Sequence, residues 1–456
     1  MEINEQNMET LRNPNPEVVV ALNVGSTKVS AFVGRKNILG KVELLGHGVA
    51  FCEGVSKGIV SNIDKTSKAI NDAIDLAEKR SKQEITTVFV GIAGDHIRSL
   101  HHQGVMFRDQ PKSEISQDDI DKLMMDMHKI ALPHGDKILH VVPQEFYIDN
   151  GKEGHLDPIG MSGARLESNF HIITANSEAL DNLFRAVEKS QLQIAGFVLE
   201  PTATAEAVLS KDEKEAGVVL VDMGGGTTEV SIYADGIVRY TGVIPLGSSI
   251  ITKDIKAGCT VIQEQAEKLK VKFGSAIASE IVDNRIITIP GLMGREPKEI
   301  SEKNLARIIQ SRLEEMFEYI MWEIRRSGFE NKLIAGMVLT GGGSKLKDIE
   351  LLGEYQTGLS TRIGRPLDQQ LAYIEPDAMD PSYTTGIGIL LEAMKKVTPG
   401  LPEMPVPKRT HVVNLAQDDL PVEVTSENDR GWLRQLKDWT YQEITDFFKP
   451  GSDSEL

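Results

Sequence analysis

Cysteine is scarce: the 456 residues hold only Cys52 and Cys259, far apart and in no metal-ligand spacing. That excludes a disulfide framework and points to a reducing compartment. No apolar run approaches the ~20 residues needed to span a bilayer. Residues 1–16, MEINEQNMETLRNPNP, have no apolar centre, so no signal peptide is expected and the protein should stay on the cytoplasmic side. Basic excess is missing too. Fifty Lys and Arg face 67 Asp and Glu, for a net charge of −17, which argues against a nucleic-acid partner. Neither GxxxxGK(S/T) nor GxGxxG occurs, so any phosphate site needs a different kind of loop.

Glycine supplies one. Residues 218–233, VVLVDMGGGTTEVSIY, read as strand, tight turn, strand. Gly224, Gly225 and Gly226 leave no Cβ at the bend, so backbone N–H groups can close around an anion. Asp222 ends the first strand, where it can hold a metal ion through water. Thr227 and Thr228 can donate to phosphate oxygens. An ordinary glycine-rich hairpin would read the same way.

A second such unit weighs against that reading. Residues 18–33, VVVALNVGSTKVSAFV, repeat the pattern, with Asn23 in the place of Asp222 and Gly25 in that of Gly224. Aligned on Ser26-Thr27-Lys28-Val29 against Thr227-Thr228-Glu229-Val230, the second copy carries two extra glycines. A repeat of this kind predicts two related halves whose turns face each other across a cleft. The hydroxyls and Lys28 of one turn would then complement the acid and glycines of the other.

Between and beyond these units the chain alternates helical and β periods. Helices are expected at 61–82, 118–130, 177–190 and 301–326, the third capped by Ser177 with Leu180, Leu183, Phe184 and Val187 inside. Strands are expected at 86–93, 138–142, 145–148, 170–175, 194–199 and 333–340. Glu200 follows one strand and opens a helix with Pro201 in its first turn. A carboxylate there can orient water toward a terminal phosphate, or simply cap the helix. His128, His134, His140 and His155 fall at no metal spacing. Gly341-Gly342-Gly343-Ser344 make a further glycine turn before a helix at 346–352. Small residues in YTTGIGILL, 383–391, suit a close approach of two elements.

After Lys396 the composition changes. Residues 397–407 are rich in proline and the chain to 429 is polar and acidic, as in a disordered linker. Residues 431–449, GWLRQLKDWTYQEITDFFK, place Trp432, Leu433, Leu436, Trp439, Ile444, Phe447 and Phe448 at helical spacing. An aromatic face beyond a linker has no nearby core, and it suits a membrane interface. Docking back on its own domain or on a partner is the other reading.

Taken in order, VVALNVGSTKV, VVLVDMGGGTTEV, GFVLEPTATAEAVL and MVLTGGGSKL resemble the actin-like ATPase superfamily. ILHVVPQEFYID and LDPIGMSGARLESNFHIIT are similar to subdomain 1C of its FtsA family, as IPLGSSIITKDI and EQAEKLKVKFG are to subdomain 2B. The resemblance implies an α/β, two-lobed fold of duplicated ribonuclease-H-like domains with an SHS2-type 1C insertion. It divides the chain into a flexible tail (1–16), 1A (17–85, 171–216 and 384–396), 1C (86–170), 2A (217–250 and 333–383), 2B (251–332), a linker (397–430) and a membrane-targeting amphipathic helix (431–449).

It also implies a role: ATP and Mg²⁺ bound between the lobes, self-assembly into filaments, and a lipid-inserted terminal helix. The protein would sit peripherally on the cytoplasmic face of the inner membrane at the division septum, with the FtsZ C-terminal tail and other division proteins as partners. By motif, Gly25, Ser26, Thr27, Lys28, Gly224, Gly225, Gly226 and Thr227 would meet phosphates, with Asp222 toward Mg²⁺. Glu267 and Lys270 would approach the adenosine, supported by Gly342, Gly343 and Ser344. Glu200 would position water, and Arg312 and Glu315 match a surface pattern RxxE for the FtsZ tail. One departure stands out: Asn23 replaces the usual Asp, which keeps the shape but loses a charge that helps hold hydrated Mg²⁺. Slow or absent hydrolysis follows. A sugar kinase or phosphatase of the superfamily, or a pilus-assembly scaffold, are the competing readings. Deleting residues 431–449 is expected to abolish co-sedimentation with liposomes, and equal pelleting of the truncated protein would remove the membrane assignment of that helix.

Overall fold

The computed structural model describes residues 18–290, 296–367, 370–373 and 376–396. The expected tail, linker and terminal amphipathic helix lie outside these. The β-rich start folds as a meander of β1 (Val18–Val24), β2 (Lys28–Lys36) and β3 (Val42–Phe51). Helix α1 (Ile63–Ser81) follows, capped by Asn62, whose Oδ1 accepts the Lys65 amide at 2.9 Å. Its Ile70, Ile74 and Ala77 are fully buried. Strand β4 (Thr87–Ile92) then returns beside β1 in parallel.

Next comes the inserted unit: β5 (Ile97–Phe107), α2 (Gln117–Met127), β6 (Asp136–Ile148) and β7 (Arg165–Asn176), with strand order β5-β7-β6. The two short strands expected around Pro143 are one. Register shifts at Ile138/His140 and Pro143/Phe146 absorb the proline, which has no amide to give the ladder. Leu123, Phe146, Leu166 and Phe170 fill this unit's own core.

Helix α3 (Ser177–Lys189) is capped by Asn176, not Ser177. Its seam is Leu183, Ala186 and Val187; Phe184 lies on the flank and is exposed, against expectation. Strand β8 (Gln193–Leu199) runs into α4 (Glu200–Val208), with Pro201 in the first turn, where its missing amide costs nothing.

The second lobe starts with β9 (Val218–Met223), β10 (Thr228–Ala234) and β11 (Ile237–Ile244). Helices α5 (Ser249–Cys259), α6 (Gln263–Phe273) and α7 (Glu302–Ser327) follow. The α7 stripe of Leu305, Ile309, Leu313, Met316, Phe317, Ile320 and Ile324 is buried as its periodicity predicts. Strand β12 (Met337–Thr340) leads to a 3₁₀ turn (Gly342–Lys345), α8 (Ile349–Thr357), β13 (Thr361–Ile363), β14 (Leu371–Tyr373) and α9 (Thr384–Lys396).

The strands form two main sheets, β8-β4-β1-β2-β3-β14 and β11-β10-β9-β12-β13. Strand β4 therefore belongs to the first sheet, although the sequence division put residues 86–92 with the insertion. Strand β14 also pairs with β3, so the chain regains the first sheet before Tyr383. Ala203 and Val208 of α4 and Ile387 and Leu390 of α9 share one core with Ala21 of the first sheet and Leu220 and Val338 of the second. The two helices thus lie between the sheets. They touch at Gly388, where any Cβ would run into the Ala203 carbonyl, which is the close approach the YTTGIGILL stretch predicts.

A polar clamp ties α4 to α9. Glu206 accepts Lys214 Nζ at 2.9 Å and Gln370 Nε2 at 2.9 Å, and pairs with Lys395 at 2.8 Å. Burial alone would raise its carboxyl, but the hydrogen bonds from Lys395 and Lys214 overrule it and hold it at about 2. A depressed carboxylate contributes stability above its unfolded pKa and loses it as pH falls toward the folded one. Glu206→Gln should therefore cost about 2 kcal/mol at pH 7. That deficit should shrink between pH 5 and pH 2 in denaturant titrations.

Candidate nucleotide site

The two glycine-bearing hairpins have the same geometry. Asn23 pairs with Ser30 and Val24 with Val29; Asp222 pairs with Glu229 and Met223 with Thr228. Both turns therefore span four residues, 25–28 and 224–227. The two extra glycines expected in the second copy are not an insertion. Register sets Ser26 against Gly225, Thr27 against Gly226, Lys28 against Thr227 and Ser30 against Glu229. Matching Ser26-Thr27 to Thr227-Thr228 by residue type is therefore two residues out of register with the hairpins.

The turns meet. A methyl group on Gly225 would lie 2.8 Å from Thr27 Oγ1, and one on Gly226 2.6 Å from Ser26 Cβ. Only glycine permits this approach. Ser26 Oγ accepts the Gly58 amide at 3.0 Å, so its proton remains to be donated. On the far side of the second turn, the Gly224 and Gly225 carbonyls accept the amides of Ser248 and Ser249 at 2.9 and 3.0 Å. This fixes the turn against the start of α5.

Charges converge behind the turns. Lys28 Nζ donates to the Ser382 carbonyl at 2.7 Å and lies 4.2 Å from the Tyr383 ring centre. Burial, helped by Lys345, lowers its ammonium to about 8 against the pull of Asp380 and Asp222. Asp222 accepts Thr385 Oγ1 at 2.7 Å and Thr204 Oγ1 at 3.3 Å. Burial nevertheless pushes its carboxyl up. Glu200, at the head of α4, is raised to about 8, first by burial and then by Asp222. Gly91 of β4 makes room for it: a Cβ there would lie 2.7 Å from Glu200 Oε1.

Glu229 completes the group and was missed in the sequence. It sits opposite Asp222 on the same face of the hairpin, and burial plus Glu200 and Asp222 raise it well above the ordinary range. Its Oε2 is buried with no hydrogen-bond partner among the described residues. A signal did exist, since equal turn lengths would have placed it beside Asp222. Thr204, Ser382 and Thr385 carried none, because they reach the site from distant helices and turns. Three clustered acids with an orphan oxygen suit a hydrated cation or a shared proton. They do not form a ready cage: among the described residues no group of three or more His, Cys, Asp or Glu could hold a metal ion directly. The acids fit Mg²⁺ held through water, with Asp222 and Glu229 as cross-strand neighbours one pair behind the turn.

The other expected site residues fall in two places. Lys270 reaches the Ser248 carbonyl at 3.3 Å and Thr252 Oγ1 at 2.8 Å, and pairs with Glu267 at 2.8 Å. Lys270 thus backs the second turn through Ser248, and Glu267 holds Lys270 and Thr252. Gly343 packs on Met223, while Ser344 Oγ turns inward to the Gly341 carbonyl at 2.8 Å; Gly342 is open apart from Ser382. Arg312 and Glu315 are elsewhere, on α7. Arg312 holds Asp254 of α5 at 2.5 and 3.1 Å and also Glu315, so the pair ties α7 to α5. Trp432, Leu433, Leu436, Trp439, Ile444, Phe447 and Phe448 lie outside the described residues.

Two sheets, each with a turn closed on the other over a half-buried lysine and a group of acids, define an actin-like fold, here with an extra three-stranded unit inserted after β4. The structure of a PilM–PilN type IV pilus biogenesis complex shares the fold, with a TM-score of 0.61 at 14% identity over 82% of this chain and 98% of that one. The model of an SHS2 domain inserted in FtsA matches residues 94–174, and that of cell division protein FtsA matches residues 219–388. Cell division protein FtsA of Neisseria meningitidis is 38% identical over 83% of this chain and 90% of its own length. That of Pseudomonas aeruginosa is 36% identical over 84% and 91%. The chain belongs to the FtsA family of cell division proteins.

The buried acids make a test of the site. A carboxyl raised on folding keeps its proton in the native state, so it costs stability as pH climbs from the unfolded pKa of about 4.3 toward the folded one. Glu229→Gln should stabilise the nucleotide-free protein by roughly 1–3 kcal/mol at pH 8, and by less at pH 5. Melting temperatures at the two pH values check this.

Proposed function

We propose that the chain binds ATP with Mg²⁺ between the two turns and, as an assembling protein on the cytoplasmic face of the inner membrane, tethers FtsZ filaments to it at the division septum. The observation that carries the nucleotide part is the contact between two equal turns with Lys28 half-buried beside them. The Gly224 and Gly225 carbonyls are held toward α5 and the Gly224 amide by the Asp222 carbonyl, and the following amides of the turn would meet a phosphate chain. Lys28, short of charge partners and shifted toward neutrality, would regain its proton fully beside an anion. Ser26 and Thr27 would add hydroxyl donors, and Asp222 would hold the metal's water shell. Mg²⁺ would supply charge neutralisation across the phosphates. Glu267 and Lys270 would border the base through α6.

The same geometry favours a switch over an efficient enzyme. Asn23 brings no charge to the metal side. Glu200, carrying its proton near neutral pH, would hold a water by hydrogen bonding and abstract a proton poorly. Family membership supports the division role over a sugar kinase or a pilus scaffold. No helix among the described residues is long and apolar enough to cross a membrane, so attachment would rest with residues 431–449. The FtsZ C-terminal tail would dock on the lobe that carries α7, with Arg312 and Glu315 close to the contact; other division proteins and further copies of the chain are the remaining partners.

Titration with ATP and Mg²⁺ should show binding that Lys28→Ala weakens about 10-fold or more, the loss of one charge-assisted phosphate contact. Turnover of the wild type should be slow, and Asn23→Asp should raise it. Brisk hydrolysis by the wild type, or no ATP binding at all, would overturn this reading. An FtsZ tail peptide that fails to bind the full chain would overturn the tethering part.

A further inference from the structure

The inserted unit does more than sit beside the second lobe. Strand β11 is an edge of the second sheet, and an edge strand leaves a row of backbone carbonyls without ladder partners. Here side chains of the inserted unit supply the donors. Ser99 Oγ of β5 donates to the Thr241 carbonyl at 2.8 Å, and Gln144 Nε2 of β6 to the Val238 carbonyl at 3.0 Å. His171 Nε2 of β7 is 3.0 Å from Thr241 Oγ1, and the Arg239 guanidinium pairs with Glu145 at 3.0 Å. Gln144 and His171 are buried. All three strands of the insertion therefore hold one short stretch, residues 238–241.

That stretch leads directly to the nucleotide turn. Thr241 pairs with Ser231 and Ile244 with Thr228, the first residue after the turn. The chain then runs through Leu246, whose carbonyl accepts Thr228 Oγ1 at 2.8 Å. Gly247 lies against Gly225 so closely that a Cβ would come within 2.6 Å of the Gly225 carbonyl carbon. The amides of Ser248 and Ser249 hold the turn's carbonyls. Six residues lie between Thr241 and Ser248; Gly242, Val243 and Ile244 are in the ladder, and Leu246 and Gly247 contact the turn or its flank, so the link between insertion and turn is short.

We propose that Ser99, Gln144 and His171 are positioning residues for the Gly224–Thr227 turn, acting through β11 and the 245–249 loop. Seating the insertion on β11 holds that loop, and the loop orients the turn. Coupling between two sites is reciprocal, so a ligand that orders the turn also tightens the seat of the insertion. The inserted unit thereby senses the state of the cleft without touching it.

Amide hydrogen exchange of the full chain without nucleotide tests the first half, and it does so independently of the ATP reading. Ser99→Ala and Gln144→Ala should speed exchange at Ser248 and Ser249 several-fold while leaving α1 unchanged. Ser99→Thr, which keeps the hydroxyl, should restore the wild-type rate. Met125→Ala, on the exposed side of the same unit, should change nothing. The second readout rests on the proposed nucleotide site: Ser99→Ala and Gln144→Ala should weaken ATP by roughly 3–10-fold. Unchanged exchange at Ser248 and Ser249 in both variants would overturn the proposal, as would an equal rise throughout the chain, which is general destabilisation. A wild type that binds no ATP would overturn the nucleotide reading, and the exchange data would still decide this one.

Discussion

The rest of the structure depends on how closely two hairpin turns approach. Gly225 and Gly226 lie against Thr27 and Ser26 at distances that a single methyl group would forbid. For the turns to meet there, the sheets behind them must be set at a fixed separation. Helices α4 and α9 set it, packed between the sheets and pressed together at Gly388. Glycine thus acts at two levels, in the cleft and in the spacer that defines the cleft. The spacer is locked by the Glu206 clamp, and all its charges stay paired.

Inside the cleft the electrostatics are unbalanced. Buried Glu229 and half-buried Glu200 and Asp222 lie together with half-buried Lys28 as the nearby cation, and each of the three acids is pushed toward its neutral form. Such a site is costly when empty and gains from any ligand that brings positive charge to the acids and negative charge to the lysine. A phosphate chain with its metal does both. On the proposed function the favourable term would lie in binding, so that the site would register nucleotide occupancy more than turnover. Asn23 moves the balance further that way, because it removes the acid that would sit in the first hairpin.

The insertion gives that registration an outlet. An edge strand is usually protected by charge, by a bulge or by covering structure. Strand β11 is protected by side-chain donors from a separate unit, and the same strand feeds the loop that holds the glycine turn. One short element therefore serves both the sheet's solubility and the link between cleft and insertion.

Much of this was legible in the sequence. Period-2 runs around Asn23 and Asp222 marked both hairpins, the α7 stripe marked its buried face, and the small residues of 383–391 marked a close crossing, because each rests on local spacing. Membership of strands in sheets was not legible. Thr87–Ile92 and Leu371–Tyr373 joined the first sheet through pairings with distant strands, and no local pattern encodes a partner. Phe184 was misplaced because helical period gives a stripe and the neighbouring sheet decides its centre. In the site, the residue types at the turns came from the sequence, since only glycine and small hydroxyls fit there. Hairpin register made the turns equal in length and set Glu229 beside Asp222, and tertiary structure alone decided that Thr204, Ser382 and Thr385 hold the two key charges. Sequence fixes what a turn can hold, through backbone freedom and side-chain chemistry. Which groups hold those charges in place depends on contacts such as Lys28 with Ser382 and Asp222 with Thr385, far apart in the chain, and only packing selects those.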